Sequence, residues 1–165
     1  MKTNLVLSGL LSAVALQAGA ATTDWAVHGN VEIAPVVLST GAFKDTYTFS
    51  LPSFSDMSSA TVANNLMGAL HISNGRVQLF REAGTNDQWL AAYAFGGTTG
   101  DITLGFSGLT AGNYFYEVDG TADGTYGGTY TLASSINAVP EPETYAMFLA
   151  GVGAIGMLYR RRRSD

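Results

Sequence analysis

The chain has 165 residues, no cysteine and a formal net charge of −5. Without cysteine, disulfide stapling and thiol-ligated metal are excluded. Between Ala21 and Pro142 only Lys44, Arg76 and Arg81 stand against eleven acidic residues, so the basic cluster that a nucleic-acid surface needs is missing.

The chain opens as a secretory leader. Lys2 is a short basic start, and Leu5–Leu16 is an apolar run interrupted by Ser8, Gly9 and Ser12. Ala18-Gly19-Ala20 then supplies the small-x-small site of a signal peptidase, so residues 1–20 are predicted to be removed and the mature chain to begin at Ala21. Gly19-Ala20-Ala21 also allows a cut one residue later. The apolar run is too short to span a bilayer, which needs roughly 20 residues.

Residues 21–138 have the length of one domain. A chain of that size buries roughly 65% of its unfolded surface, enough for a core held by apolar packing. The pattern is of short strands throughout. Phe43, Asp45, Tyr47, Phe49 and Leu51 alternate with Lys44, Thr46, Thr48 and Ser50, and Pro52 ends the run. Ser58–Leu70 fits a helical face as well as irregular strands and is read as strand and loop. Asn74-Gly75 reads as a turn before the Val77–Phe80 strand. Trp89–Phe95 is a further strand closed by Gly96-Gly97, and Ile102, Leu104 and Phe106 alternate up to a break at Gly108. Tyr114, Tyr116 and Val118 alternate again, and Tyr130 and Leu132 close the set. Strands at this spacing predict an all-β, antiparallel β-sandwich or jelly roll.

Candidates for chemistry are few. His28 and His71 stand far apart, with no third nitrogen or thiol ligand for a zinc site. Ser107 in Gly105-Phe-Ser-Gly108 misses the nucleophile-elbow spacing by one residue and falls in a strand. Asp119 and Asp123 are the candidates for a hard cation, but their segment lacks the order of a calcium loop and is read as a polar hairpin tip. Asp45 shares a strand face with Phe43 and Tyr47, so it must be hydrogen-bonded or paired. Lys44 is on the opposite face, and capping of a neighbouring loop's amides is the expected role, with an ion ligand as the alternative. No catalytic residue, cofactor or metal site is assigned, and the expectation is a protein that is not an enzyme.

The end of the chain, residues 139–165, has three parts. Val139, Pro140, Glu141 and Pro142 begin a stiff, extended peptide. An uncharged run from Tyr145 to Tyr159 follows, with Thr144 as N-cap, and it is shorter than a usual membrane span. Arg160, Arg161, Arg162 and Arg163 close it as a stop-transfer cluster expected to stay cytoplasmic. This order resembles the PEP-CTERM sorting signal of exported bacterial proteins. The resemblance implies a C-terminal transmembrane sorting helix and processing by an exosortase-like membrane peptidase. It also implies export through the inner membrane to the cell envelope, surface or medium of a Gram-negative-type bacterium, in association with exopolysaccharide or biofilm.

Two further resemblances lie in the body. Phe43, Asp45 and Tyr47 look like the F-x-D-x-F signature of one family of PEP-CTERM proteins, with Tyr47 in place of the second Phe. The stretches Leu109–Gly120 and Gly128–Leu132 look like the closing strands of small jelly-roll domains appended to secreted bacterial peptidases. The functional expectation is a structural, exosortase-sorted matrix protein, and the alternative is a carbohydrate- or calcium-binding sandwich module.

Overall fold

The computed structural model describes residues 16–17, 19–96, 102–138, 147–152 and 155. Among the described residues ten strands form two five-stranded sheets. In chain order they are β1 (Leu16–Gln17), β2 (Ala20–Val27), β3 (Val31–Leu38), β4 (Gly41–Leu51), β5 (Ser55–Ala63), β6 (Ile72–Arg81), β7 (Gln88–Phe95), β8 (Ile102–Leu109), β9 (Gly112–Ala122) and β10 (Gly128–Ala138). One sheet runs β1-β3-β10-β5-β8 and the other β2-β4-β9-β6-β7. Pairing is antiparallel except at the N-terminus, where β1 lies parallel to β3 and β2 parallel to β4. The all-β, two-sheet architecture agrees with the sandwich expected from the strand spacing.

The period-2 runs explain which face is buried. On β4 the inward residues Phe43, Asp45, Tyr47, Phe49 and Leu51 are all buried, and the residues between them are not. Tyr114, Tyr116 and Val118 of β9 lie across from them, with Tyr47 opposite Tyr116 and Phe49 opposite Tyr114. The Phe49 ring stacks on Tyr114 at 5.9 Å between centroids. The other sheet contributes Leu38, Met57, Tyr130 and Leu132, together with the small polar residues Ser55, Ser59, Thr61 and Ser134. The core is therefore rich in aromatic residues on the β4–β9 side and mixes aliphatic residues and Tyr130 with small hydroxylated ones on the other.

Three sequence expectations are corrected. Asn74-Gly75 is not a turn before a strand but a bulge within β6, where the register shifts between Ser73 and Arg76. Asn74 has φ 53°, a left-handed conformation that its short polar side chain tolerates. The hairpin tip expected from Asp119 onward lies further along, because β9 continues through Ala122 and the turn is closed between Gly124 and Gly127. Gly127 has φ +87°, and a Cβ there would lie 1.9 Å from the Leu38 carbonyl oxygen, so no other residue fits that turn. Gly108, read as a break, is inside β8. The strands β2 and β3 were not singled out by pattern. β3 carries Pro35, which is tolerated because β3 pairs with β10 on one side and meets β1 only at Val37 and Leu38 on the other.

Residues 147–152 and 155 are helical. Among the described residues no helix is long and apolar enough to cross a membrane. The sorting residues Val139, Pro140, Glu141 and Pro142, the Arg160–Arg163 cluster and Ala18 of the leader site lie outside the described residues.

Candidate functional site

The most unusual group in the sandwich is the Asp45 carboxylate, 2% exposed at the centre of the aromatic face. The β4 pleat turns it inward between Phe43 and Tyr47, toward the opposite sheet. There the Tyr130 hydroxyl of β10 donates to Asp45 Oδ2 at 2.5 Å. With its proton committed to Asp45, Tyr130 accepts from the Tyr47 hydroxyl at 2.7 Å. The backbone amide of Ala21, on β2, donates to Asp45 Oδ1 at 3.1 Å. The amide that Asp45 satisfies thus belongs to an edge strand rather than to a loop.

Burial raises the Asp45 pKa above the ordinary carboxylate value, and the bonds from Tyr130 and Ala21 offset only part of that rise. Tyr47 is pushed up to about 12, chiefly by burial, with the Asp45 charge adding to the effect. Tyr130 is raised as well, first by burial and then by the charges of Tyr47 and Asp45. Each basic side chain of the body is engaged away from Asp45. Lys44 pairs with Glu117 at 2.7 Å, Arg76 with Asp119 at 3.0 Å, and Arg81 lies over the Tyr114 ring.

A second buried polar chain holds the other end of the core. His28 Nδ1 lies 2.5 Å from the Gly29 carbonyl oxygen, which only a protonated nitrogen can satisfy. In the neutral ring, Nε2 then accepts from Ser134 Oγ at 2.8 Å. Ser134 Oγ in turn lies 3.1 Å from the Tyr116 hydroxyl. A serine and a histidine within bonding distance invite comparison with a nucleophile–base pair, but both are fully buried, and burial raises the Tyr116 pKa. The arrangement ties the two sheets together and offers no access to a substrate. Thr61 Oγ1 and the Tyr93 hydroxyl make a third bridge at 2.9 Å. Ser59 Oγ is buried near the Tyr93 and Tyr116 hydroxyls without reaching hydrogen-bond geometry with a partner.

The two cation candidates are separated by their partners. Asp119 is on β9 and bonds Arg76, whereas Asp123 follows β9 and bonds His71 Nδ1. The His71 bond is the first cause of the lowered Asp123 pKa, followed by a bond from Ser73. Among the described residues no group of three or more His, Asp or Glu side chains could hold a metal ion. Ser107 is exposed on β8. A surface hollow of about 420 Å³ is lined by Asp24, Thr48, Ser50, Glu82 and Asn113 among others. Sequence reasoning did not find it, because its residues come from four separate segments.

Comparison with known proteins adds one decisive observation, and it concerns the tail. Residues 138–163 match the PEP-CTERM protein-sorting motif. The motif marks exosortase substrates and implies export, with a location in the cell envelope or at the surface. The matched segment begins at Ala138, the last residue of β10. No curated protein matches the chain. Among solved structures, the pre-peptidase C-terminal domain of collagenase from Bacillus anthracis aligns at 17% identity and TM-score 0.44, covering 70% of this chain and 94% of that one. PliG from Aeromonas hydrophila, a periplasmic inhibitor of g-type lysozyme, aligns at 16% identity and TM-score 0.44, covering 72% and 99%.

Proposed function

We propose that this protein is an exported, exosortase-sorted structural component of the bacterial cell surface or extracellular matrix, and not an enzyme. The reading is carried by the sorting motif at residues 138–163. In it, signal peptidase removes residues 1–20, and the body crosses the inner membrane. The Tyr145–Tyr159 segment then holds the chain in the membrane as a transmembrane sorting helix. A helix shorter than the usual span, roughly 20 residues, is a poor permanent anchor and an adequate temporary one. Val139, Pro140, Glu141 and Pro142 present the extended recognition peptide outside the membrane, and Arg160–Arg163 stop the tail on the cytoplasmic side. An exosortase-like peptidase cuts the tail away, and the body remains with the exopolysaccharide or biofilm. The Phe43, Asp45 and Tyr47 signature supports placement among the F-x-D-x-F type of these proteins.

Replacing Pro140-Glu141-Pro142 by three alanines tests the reading. Uncut precursor should accumulate in the membrane while the body keeps its thermal stability, and normal tail removal in the variant would sink the assignment. A second reading, a carbohydrate- or calcium-binding module, is favoured by the surface hollow that Asp24, Thr48, Ser50, Glu82 and Asn113 line together with Ala26, Val27 and Phe49. Glycan-array binding and a calcium titration of the melting temperature separate it from the first.

A further inference from the structure

Among the described residues no cationic side chain bonds the buried Asp45 carboxylate, and the main-chain nitrogen on it is that of Ala21. A buried carboxylate held only by hydrogen bonds is costly, and a cation at the same position would offset that cost. The three basic side chains of the body are engaged elsewhere, His28 bonds Gly29 and Ser134, and His71 bonds Asp123. The position of the Ala21 nitrogen is not arbitrary in the sequence. It is the nitrogen of the Ala20–Ala21 bond, which the Ala18-x-Ala20 pattern marks for cleavage.

We propose that Asp45 is a built receptor site for the α-ammonium group of Ala21, created when the Ala20–Ala21 bond is cut. The inference rests on the export reading above. In the cleavage step, water adds across the amide. Its hydroxyl goes to the Ala20 carbonyl carbon, and its proton goes to the Ala21 nitrogen. Near neutral pH the new acid then loses a proton and the new amine gains one. An amide that could give Asp45 a single neutral hydrogen bond becomes an ammonium with three N–H donors and a full positive charge.

The surrounding strands fit such an exchange. The chain passes from one sheet to the other at the cleavage site, with Leu16–Gln17 on β3 and Ala20–Val27 on β4. Cutting after Ala20 removes β1 and one residue of β2, while Ala21↔Asp45 and the rest of the β2–β4 pairing remain. Cutting one residue later would remove Ala21 and leave Asp45 with the Tyr130 hydroxyl but without the Ala21 nitrogen. Of the two cuts that the small-residue pattern allows, the site therefore selects the first. Folding and export are coupled by this contact: the sandwich reaches its full stability only after the leader has gone.

The test uses the full chain exported by a bacterial host and recovered from its envelope. Its first residue is read by mass spectrometry, and the rate of acetylation of the α-amine is followed against pH, in native and denatured protein. The titratable groups facing Asp45 are Tyr47 on β4 and Tyr130 on β10, while Asp24, on β2, is exposed and bonds Ala26 and Thr48. The chain should start at Ala21. Its amine should titrate well above the ordinary value of about 7.7–8.0 in the native protein, and normally when denatured. At pH 7, below both pKa values, native labelling should be slower by about tenfold for each unit by which the pKa is raised. Asp45→Asn should bring the native pKa back to the ordinary range. An Ala21 amine with an ordinary or lowered native pKa overturns the proposal alone, because burial without a charge partner lowers it. A chain starting at Met1 or Thr22 also overturns it, and that result locates the failure in the cleavage reading instead. The wild-type titration decides the matter even if the variant does not fold.

Discussion

The sandwich body and the C-terminal tail carry information in different ways. The tail carries its sorting motif as an ordered string: Pro-Glu-Pro, an apolar run and four arginines within residues 139–165. Its meaning survives without a fold, so a short linear match is enough to recognise it. The body has meaning only after folding, when residues distant in sequence meet. Tyr130 reaches Asp45 across 85 positions, and His28 reaches Ser134 across 106. The tail therefore announces where the protein goes, and the body's polar clusters must be read from three-dimensional contacts. If the two are independent, damage to one should not be felt by the other.

Substitutions in the body are the sharpest way to break that independence, and the largest effect is expected at Phe49. Phe49 is 3% exposed, stacks on Tyr114 and touches the His28 ring edge-on at 5.0 Å. Phe49→Ala should lower unfolding free energy by about 3–5 kcal/mol, measured by denaturant titration. Its exported fraction that remains folded should still lose the tail. Retention of the tail in folded Phe49→Ala protein would mean that the body takes part in sorting.

A smaller, pH-dependent effect is expected at Asp45 in chains whose Ala20–Ala21 bond is intact. Its folded-state pKa is raised, so the folded chain binds more protons than the unfolded chain between the ordinary carboxylate value and the raised one. Stability from this group is present below about pH 4 and is lost as pH rises through the folded pKa. Asp45→Asn in the uncut chain should therefore melt higher than wild type at pH 7, with the difference vanishing near pH 4. The same melting temperature at both pH values for both chains would show that the carboxylate is not under strain from burial. The smallest effect belongs to Thr48, on the outer face of the same strand, whose hydroxyl donates to Asp24 at an exposed site. Thr48→Ala should change stability by no more than about 0.5 kcal/mol. An effect as large as that of Phe49→Ala would mean the inward and outward faces of β4 had been exchanged.

How far the sequence disclosed the molecule depends on the same contrast. The β4 and β9 faces were readable because large aromatic residues alternate with polar ones, and burial follows that period. β5 was hard to read because its inward residues include Ser55, Ser59 and Thr61, which carry little hydrophobic signal although all three are buried, Thr61 with its hydroxyl on that of Tyr93. β2 and β3 were missed for a related reason. Thr22, Thr23 and Asp24 on β2 are exposed, and Pro35 in the middle of β3 breaks its strand signal but not the strand. Asp45 was marked as needing a partner, but neither Tyr130, in the opposite sheet, nor Ala21, on a neighbouring strand distant in sequence, could be assigned, since such contacts leave no local trace. The bulge at Asn74-Gly75 shows the opposite error, a strong turn signal used inside a strand.

The central claim is that the body is delivered and its tail is then removed. It is tested most directly by the intact mass of the surface-associated protein, in strains with and without the exosortase. With the enzyme present, the mass should correspond to a chain beginning at Ala21 and lacking Tyr145–Asp165. Without it, the tail should remain attached and the protein should stay in the membrane. A tail still attached in both strains would contradict the account and leave the segment as an anchor only.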